Sequence, residues 1–147
     1  MNVEFYNCVL YFFLTIFVLG YLVQMKPVIE GLANGALKHG IDAQNQAMNN
    51  ECERGEVNAK KVWWVQAEAV TGFYNAFKNQ PERTDFLKIS ENVCEFIQNF
   101  VIDKKTGEWI EDISPDNTVK PQQALAHAWK CPYHNGRMCI EMIERLG

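Results

Sequence analysis

Nine residues near the end of the chain, Trp129-Lys130-Cys131-Pro132-Tyr133-His134-Asn135-Gly136-Arg137, concentrate side chains suited to chemistry. Pro132 stands where a helix begins, and residues 138–146 read as that helix. Proline is favoured at the first helical position because its missing N–H has no intrahelical partner there. His134 then rides on the first turn, where the positive end of the helix dipole favours a neutral ring. A neutral imidazole can act as a general base near pH 7. The plainer alternative, a polar residue at a helix start, fits the same spacing. A second set lies in residues 61–79. Trp64, Glu68, Thr71 and Asn75 recur at helical spacing and share one face. An indole one turn before a carboxylate suits a sugar: the ring covers the apolar C–H face, and the carboxylate accepts hydrogen bonds from hydroxyls. A core tryptophan beside a solvated glutamate is the alternative.

The elements that must hold these residues are bounded by composition. A chain of 147 residues is the size of one domain, and 48% hydrophobic with 22% charged residues suffices for a buried core. The net charge is −4 and no Lys/Arg-rich run occurs, which argues against a nucleic-acid partner. There are five cysteines, Cys8, Cys52, Cys94, Cys131 and Cys139, with no C-x-x-C pair. The odd number and the spacing argue against a disulfide framework or a zinc site and fit a reducing, cytoplasmic compartment. Cys131 and Cys139 read as small apolar residues of the last helix. Neither a metal-ligand cluster nor a Gly-rich nucleotide fingerprint is present.

Residues 8–23 form a nearly unbroken apolar run, short of the roughly 20 residues a spanning helix needs. It lacks a preceding cation and a following cleavage site, so a buried helix is expected, with a short membrane anchor as the alternative. Pro27 is expected to open the next helix and Gly40 to close it in a left-handed cap, with Lys38 and His39 in its last turn. The polar connection 41–59 is long enough to be functional or to contain a hairpin, and Gly55 offers its turn. Helices are predicted over 61–79 and 85–102. The second should bury Phe86, Leu87, Ile89, Val93, Phe96, Ile97 and Phe100. Lys104 to Gly107 reads as a turn, Glu108-Trp109-Ile110 as a short strand, and Ser114-Pro115-Asp116-Asn117 as another turn. His127 has no distinctive setting and reads as a surface residue.

The phrases KVWWVQAEA and WKCPYHNGR, with GEW between them, resemble the C-terminal part of the N-acylglucosamine 2-epimerase family, closest to its cellobiose (mannobiose) 2-epimerase branch. The resemblance spans about residues 26–147. It implies an all-α chain, the C-terminal third of an (α/α)6 toroid built from antiparallel helical hairpins with short hairpin-like connections. It also implies inversion at C2 of a reducing-end sugar. One histidine removes the C2 proton, an enediolate forms, the C2–C3 bond rotates, and a proton returns to the other face without a cofactor. On this resemblance His134 matches one of the two proton-shuttling histidines, Glu68 matches a carboxylate of the site, and Trp64 stacks on the sugar beside Trp63. Arg137 fixes the helix start, and Trp129 belongs to the same aromatic surround.

The sequence also departs from the family. Asn2-Val3-Glu4-Phe5 resembles the tail of the phrase that carries the second histidine, with Met1 in the histidine's place and Glu4 matching the glutamate. The first part of the toroid, with its substrate-binding arginine, is not in the chain. The expected partners are therefore a small carbohydrate and, through exposed inner helices, either a second copy or the missing half of the ring. Turnover by this chain alone is expected to be impaired. An inactive sugar-binding remnant and a membrane-anchored helical interaction protein are the alternatives.

Overall fold

The computed structural model describes residues 22–120 and 123–147. Helix α1 (Leu22–Gly40) leads into a loop and a hairpin of β1 (Glu51–Glu53) and β2 (Glu56–Asn58). Strand β3 (Lys61–Val62) runs directly into α2 (Trp63–Asn79), followed by α3 (Thr84–Phe96), a π-helical turn (Ile97–Val101), β4 (Asp112–Ile113) and α4 (Tyr133–Leu146). Most of the apolar run 8–23, together with Glu4, lies outside the described residues.

Helix α2 is the centre of the packing. It is buried on nearly every side from Trp63 to Ala76, as befits a helix with neighbours all round. It packs most extensively against α3 and then against α4. The α2–α3 connection is only residues 80–83, which makes the two helices antiparallel neighbours. Phe73 and Phe86 stack across this interface with centroids 6.1 Å apart, and the Ser90 hydroxyl donates to the Val70 carbonyl at 2.8 Å. Val65, Val70, Val93, Val101 and Ile113 fill the core around them. Among the described residues no helix is long and apolar enough to cross a membrane.

The predicted hairpin occupies residues 51–58. Arg54 (φ 50°) and Gly55 (φ 91°) form its two-residue turn, the positive-φ pair that a tight hairpin with right-twisted strands requires. Three expectations are corrected. Pro27 lies inside α1 rather than opening it. Gly40 ends that helix without a left-handed backbone; space is what requires glycine there, because a Cβ would come within 2.5 Å of Met48 Cε. Residues 85–102 are not one α-helix. The π turn, closed by the Ile102 N–H on the Ile97 carbonyl at 3.0 Å, rotates the helix face. It buries Val101 and leaves Phe100 exposed.

Candidate active site

Two short devices fix where the site residues emerge. The first is the β3–β4 pairing, Lys61 opposite Ile113 and Val62 opposite Asp112. It is extended by the Trp63 N–H donating to the Glu111 carbonyl at 3.0 Å. Gln123 reinforces it, accepting from the Asp112 N–H at 3.0 Å and donating to the Asp112 carbonyl at 2.8 Å. This anchors the first turn of α2, and Glu68 follows Trp64 by four residues on the same face. The second device is the turn before α4. His127 and Lys130 pair through their backbones, and the Pro132 carbonyl accepts the Gly136 N–H at 3.0 Å. Pro132 therefore flanks the helix, one residue before its first member Tyr133.

The two helix starts meet through side chains more than sixty residues apart in sequence. His134 Nδ1 lies 2.7 Å from Glu68 Oε1, and the Arg137 guanidinium donates to the same oxygen. Glu68 is 1% exposed and His134 17%. Guanidinium only donates, and an ionised carboxylate only accepts. With Glu68 ionised against Arg137, Nδ1 is the donor to Oε1, and the neutral ring keeps its basic lone pair on Nε2. Glu68 Oε2 is buried with no hydrogen-bond partner among the described residues.

Aromatic rings surround the imidazole. Trp64 lies 5.5 Å from it, tilted by 38°. Trp63 and Tyr133 meet it edge-on at 5.6 Å and 5.0 Å. The Arg137 guanidinium lies over the Tyr133 ring at 5.4 Å. A charged seam continues down α4 from Arg137 to Glu141 at 3.9 Å and from Glu141 to Arg145 at 2.6 Å. Arg145 also donates to Asn75 of α2.

Glu68, His134, Trp64, Trp63 and Arg137 are thus brought together. Trp63 is almost fully buried beneath the imidazole. Trp129 stands apart, 90% exposed on the turn before α4.

Three positioning residues escape sequence reasoning. His127 is exposed, as expected, but it is engaged through both ring nitrogens. Its Nδ1 accepts the Trp129 N–H at 3.2 Å, and its Nε2 lies 3.0 Å from Glu111 Oε1. Glu111 therefore holds the start of α2 by its carbonyl and the turn before α4 by its carboxylate. Lys130 is 3% exposed, donates to the Leu125 carbonyl, and lies 3.6 Å from Glu108 and 5.4 Å from the Trp63 ring centroid. These residues sit in irregular segments, where no periodicity marks burial. Cys131 and Cys139, read as small apolar residues, are both exposed. Among the described residues no group of three or more His, Cys, Asp or Glu side chains could hold a metal ion.

The model of the N-acylglucosamine 2-epimerase (GlcNAc 2-epimerase) family matches residues 24–135. The chain belongs to that family. Cellobiose 2-epimerase of Ruminococcus albus is 43% identical over 106 residues, covering 71% of this chain and 27% of the relative. Cellobiose 2-epimerase of Dictyoglomus turgidum is 43% identical over 125 residues, covering 84% and 31%. The chain therefore spans about three tenths of the length of these relatives. Among solved structures, a sugar epimerase from a ruminal bacterium superposes with a TM-score of 0.76 at 36% identity, covering 86% of this chain and 33% of that one. Cellobiose 2-epimerase of Bacillus thermoamylovorans superposes at 0.75 with 34% identity, covering 82% and 30%. A D-mannose isomerase at 22% identity and a TM-score of 0.75 shares the fold. The helical hairpins described above are the C-terminal part of an (α/α)6 toroid.

Proposed function

We propose that this family member carries one side of a sugar 2-epimerase site, acting on the reducing-end residue of a disaccharide such as cellobiose or mannobiose. The observation that carries the reading is the Glu68–His134 hydrogen bond, 2.7 Å long, formed beside the Trp64 ring. Trp64 stacks on the apolar face of the sugar, and Trp129 adds a second aromatic surface from the neighbouring turn. Glu68 orients His134 so that Nε2 faces the substrate. Once the pyranose opens, Nε2 takes the proton from C2 and electron density moves onto the C1 oxygen, giving an enediolate. Rotation about C2–C3 presents the opposite face, and a proton returned there completes the inversion. Every atom and electron is conserved, so the step requires no oxidant. Glu68 Oε2 is set to accept a hydroxyl from substrate, since an unpaired buried acceptor costs about 1–3 kcal/mol. Arg137 holds Glu68 in place.

Epimerisation needs proton transfer at both faces of C2. The second acid–base group, together with any role of Glu4, comes from outside the described residues. With His134 as its one proton-shuttling histidine, the chain alone should turn over slowly, since loss of one general acid–base group lowers rates about 10²- to 10⁴-fold. The test is C2 proton exchange in D₂O, followed by NMR with cellobiose and mannobiose. Slow exchange that disappears in His134→Asn is expected. Absence of exchange with both sugars at every protein concentration would overturn the catalytic reading, and saturable sugar binding without exchange would instead identify a binding module.

A further inference from the structure

The turn that carries Trp129 is braced by a titratable ring. The Lys130 N–H donates to the His127 carbonyl at 2.9 Å, closing a turn over residues 127–130 in which Trp129 comes third. The Trp129 N–H donates to His127 Nδ1 at 3.2 Å, much as an Asx side chain braces a turn by accepting from the backbone two residues on. Accepting through Nδ1 puts the neutral ring's proton on Nε2, which lies 3.0 Å from Glu111 Oε1. Lys130, the other charged residue of the turn, donates to the Leu125 carbonyl and lies 3.6 Å from Glu108. The Trp129 indole is 90% exposed, so the turn rather than packing sets its direction.

We propose that His127 is a positioning residue for the sugar site: its neutral ring fixes the turn that presents the Trp129 indole to substrate, and protonation of the ring releases that turn. Histidine is the side chain whose charge ordinarily changes between pH 5 and 8. Imidazolium donates through both nitrogens. Nε2–H then stays on Glu111, where the added charge strengthens the contact, while Nδ1–H meets the Trp129 N–H donor to donor. Because the ring remains on Glu111, the Trp129 peptide gives way. Glu111 also accepts the Trp63 N–H through its carbonyl at 3.0 Å, so the ring is moored to the start of α2, which carries Trp64. The two aromatic surfaces proposed to meet the sugar, Trp64 and Trp129, are thereby set relative to each other in neutral solution and uncoupled in acid. This role for His127 rests on the sugar-binding role proposed for Trp129, and it makes sugar affinity depend on a residue that acts by way of that tryptophan.

The full chain is titrated with cellobiose and with mannobiose by calorimetry at pH 8 and pH 5, as wild type, His127→Ala, His127→Asn and Trp129→Ala. Asparagine keeps an oxygen that accepts the N–H two residues on, and it does not titrate. At pH 8 His127→Ala should bind about 2- to 10-fold more weakly than wild type, the span of one ordinary hydrogen bond, and His127→Asn should bind as wild type does. At pH 5 the wild type should fall behind His127→Asn by the same factor. Any contribution of His134 to the pH dependence is common to these chains, so the comparison isolates His127. Without sugar, the ¹H–¹⁵N signal of the Trp129 amide should shift between pH 8 and pH 5 in wild type and stay in place in His127→Asn. A Trp129 amide as pH-sensitive in His127→Asn as in wild type would overturn the inference. So would His127→Ala binding as tightly as wild type while Trp129→Ala binds weakly. Unchanged affinity in Trp129→Ala, or no sugar bound by any of the chains, would reject the sugar site at Trp129 and the inference with it, and the amide signal would tell that failure from failure of the His127 brace.

Discussion

Lys61 and Glu68 lie seven positions apart at the β3–α2 junction, carry opposite charges and are equally buried, at 0% and 1% exposed, yet their surroundings differ completely. Lys61 spends all three donors locally, on Asp42 Oδ2 at 2.9 Å, Asn49 Oδ1 at 3.0 Å and the Ala59 carbonyl at 2.6 Å. It ties the 41–50 loop to the start of α2. Gln66 completes that tie, exchanging hydrogen bonds of 2.9 Å and 2.7 Å with the backbone of Met48. Glu68 instead draws both partners from α4 and loads them on one oxygen, while the other oxygen has none among the described residues. A saturated buried charge serves the fold. We read a buried charge whose second oxygen has no partner among the described residues, beside a partly exposed imidazole, as set up to meet a ligand.

Substitutions should separate the two. Lys61→Met leaves Asp42 and Asn49 facing an apolar side chain. Removing one member of a buried pair costs about 3–5 kcal/mol, which urea unfolding should detect as a lower midpoint with an unchanged slope. Glu68→Gln keeps the shape and removes the charge that Arg137 and His134 share. Because those partners are partly exposed, the loss should be nearer 1–2 kcal/mol, with the larger effect on C2 proton exchange. A stability loss equal to that of Lys61→Met would place Glu68 among structural staples and break the comparison.

Acid distinguishes the staple again. Burial alone would raise Asp42. The hydrogen bond from Lys61, the backbone N–H groups of Gln44 and Asn45, and the Lys61 charge outweigh it and hold the carboxyl below its ordinary value. A group whose folded value is depressed adds stability above its unfolded value, about 3.9, and that stability is lost as pH falls through the folded value. Thermal melts should therefore show an acid-sensitive component below about pH 4 that is absent in Asp42→Asn. The smallest effect is expected at Trp129, whose exposed indole contributes no packing. Trp129→Ala should change stability by no more than about 0.5 kcal/mol while weakening sugar binding measured by calorimetry.

The helices that carry the site were legible because their apolar residues keep a helical period. Trp64 and Glu68 could be placed on one face of α2 from spacing alone, and His134 near the start of α4. The π turn was not legible, since one extra residue per turn leaves the local composition unchanged while shifting Phe100 outward and Val101 inward. The bridging roles of Glu111, His127 and Lys130 depend on contacts between irregular segments, where sequence carries no period. The Glu68–His134 contact spans 66 residues, and neither helix encodes it by itself. The two phrases that resemble the epimerases made that meeting an expectation.

The tautomer of His134 tests the assignment most directly. The chain has three histidines, His39, His127 and His134, so ¹⁵N-labelled imidazole spectra can be assigned by substitution at each position. In the neutral form His134 should carry its proton on Nδ1, held by Glu68, and Glu68→Gln should shift that signal and broaden it through exchange. A His134 ring protonated on Nε2, or one whose ¹⁵N signals ignore the Glu68 substitution, would contradict a site in which this carboxylate aims the base at the sugar.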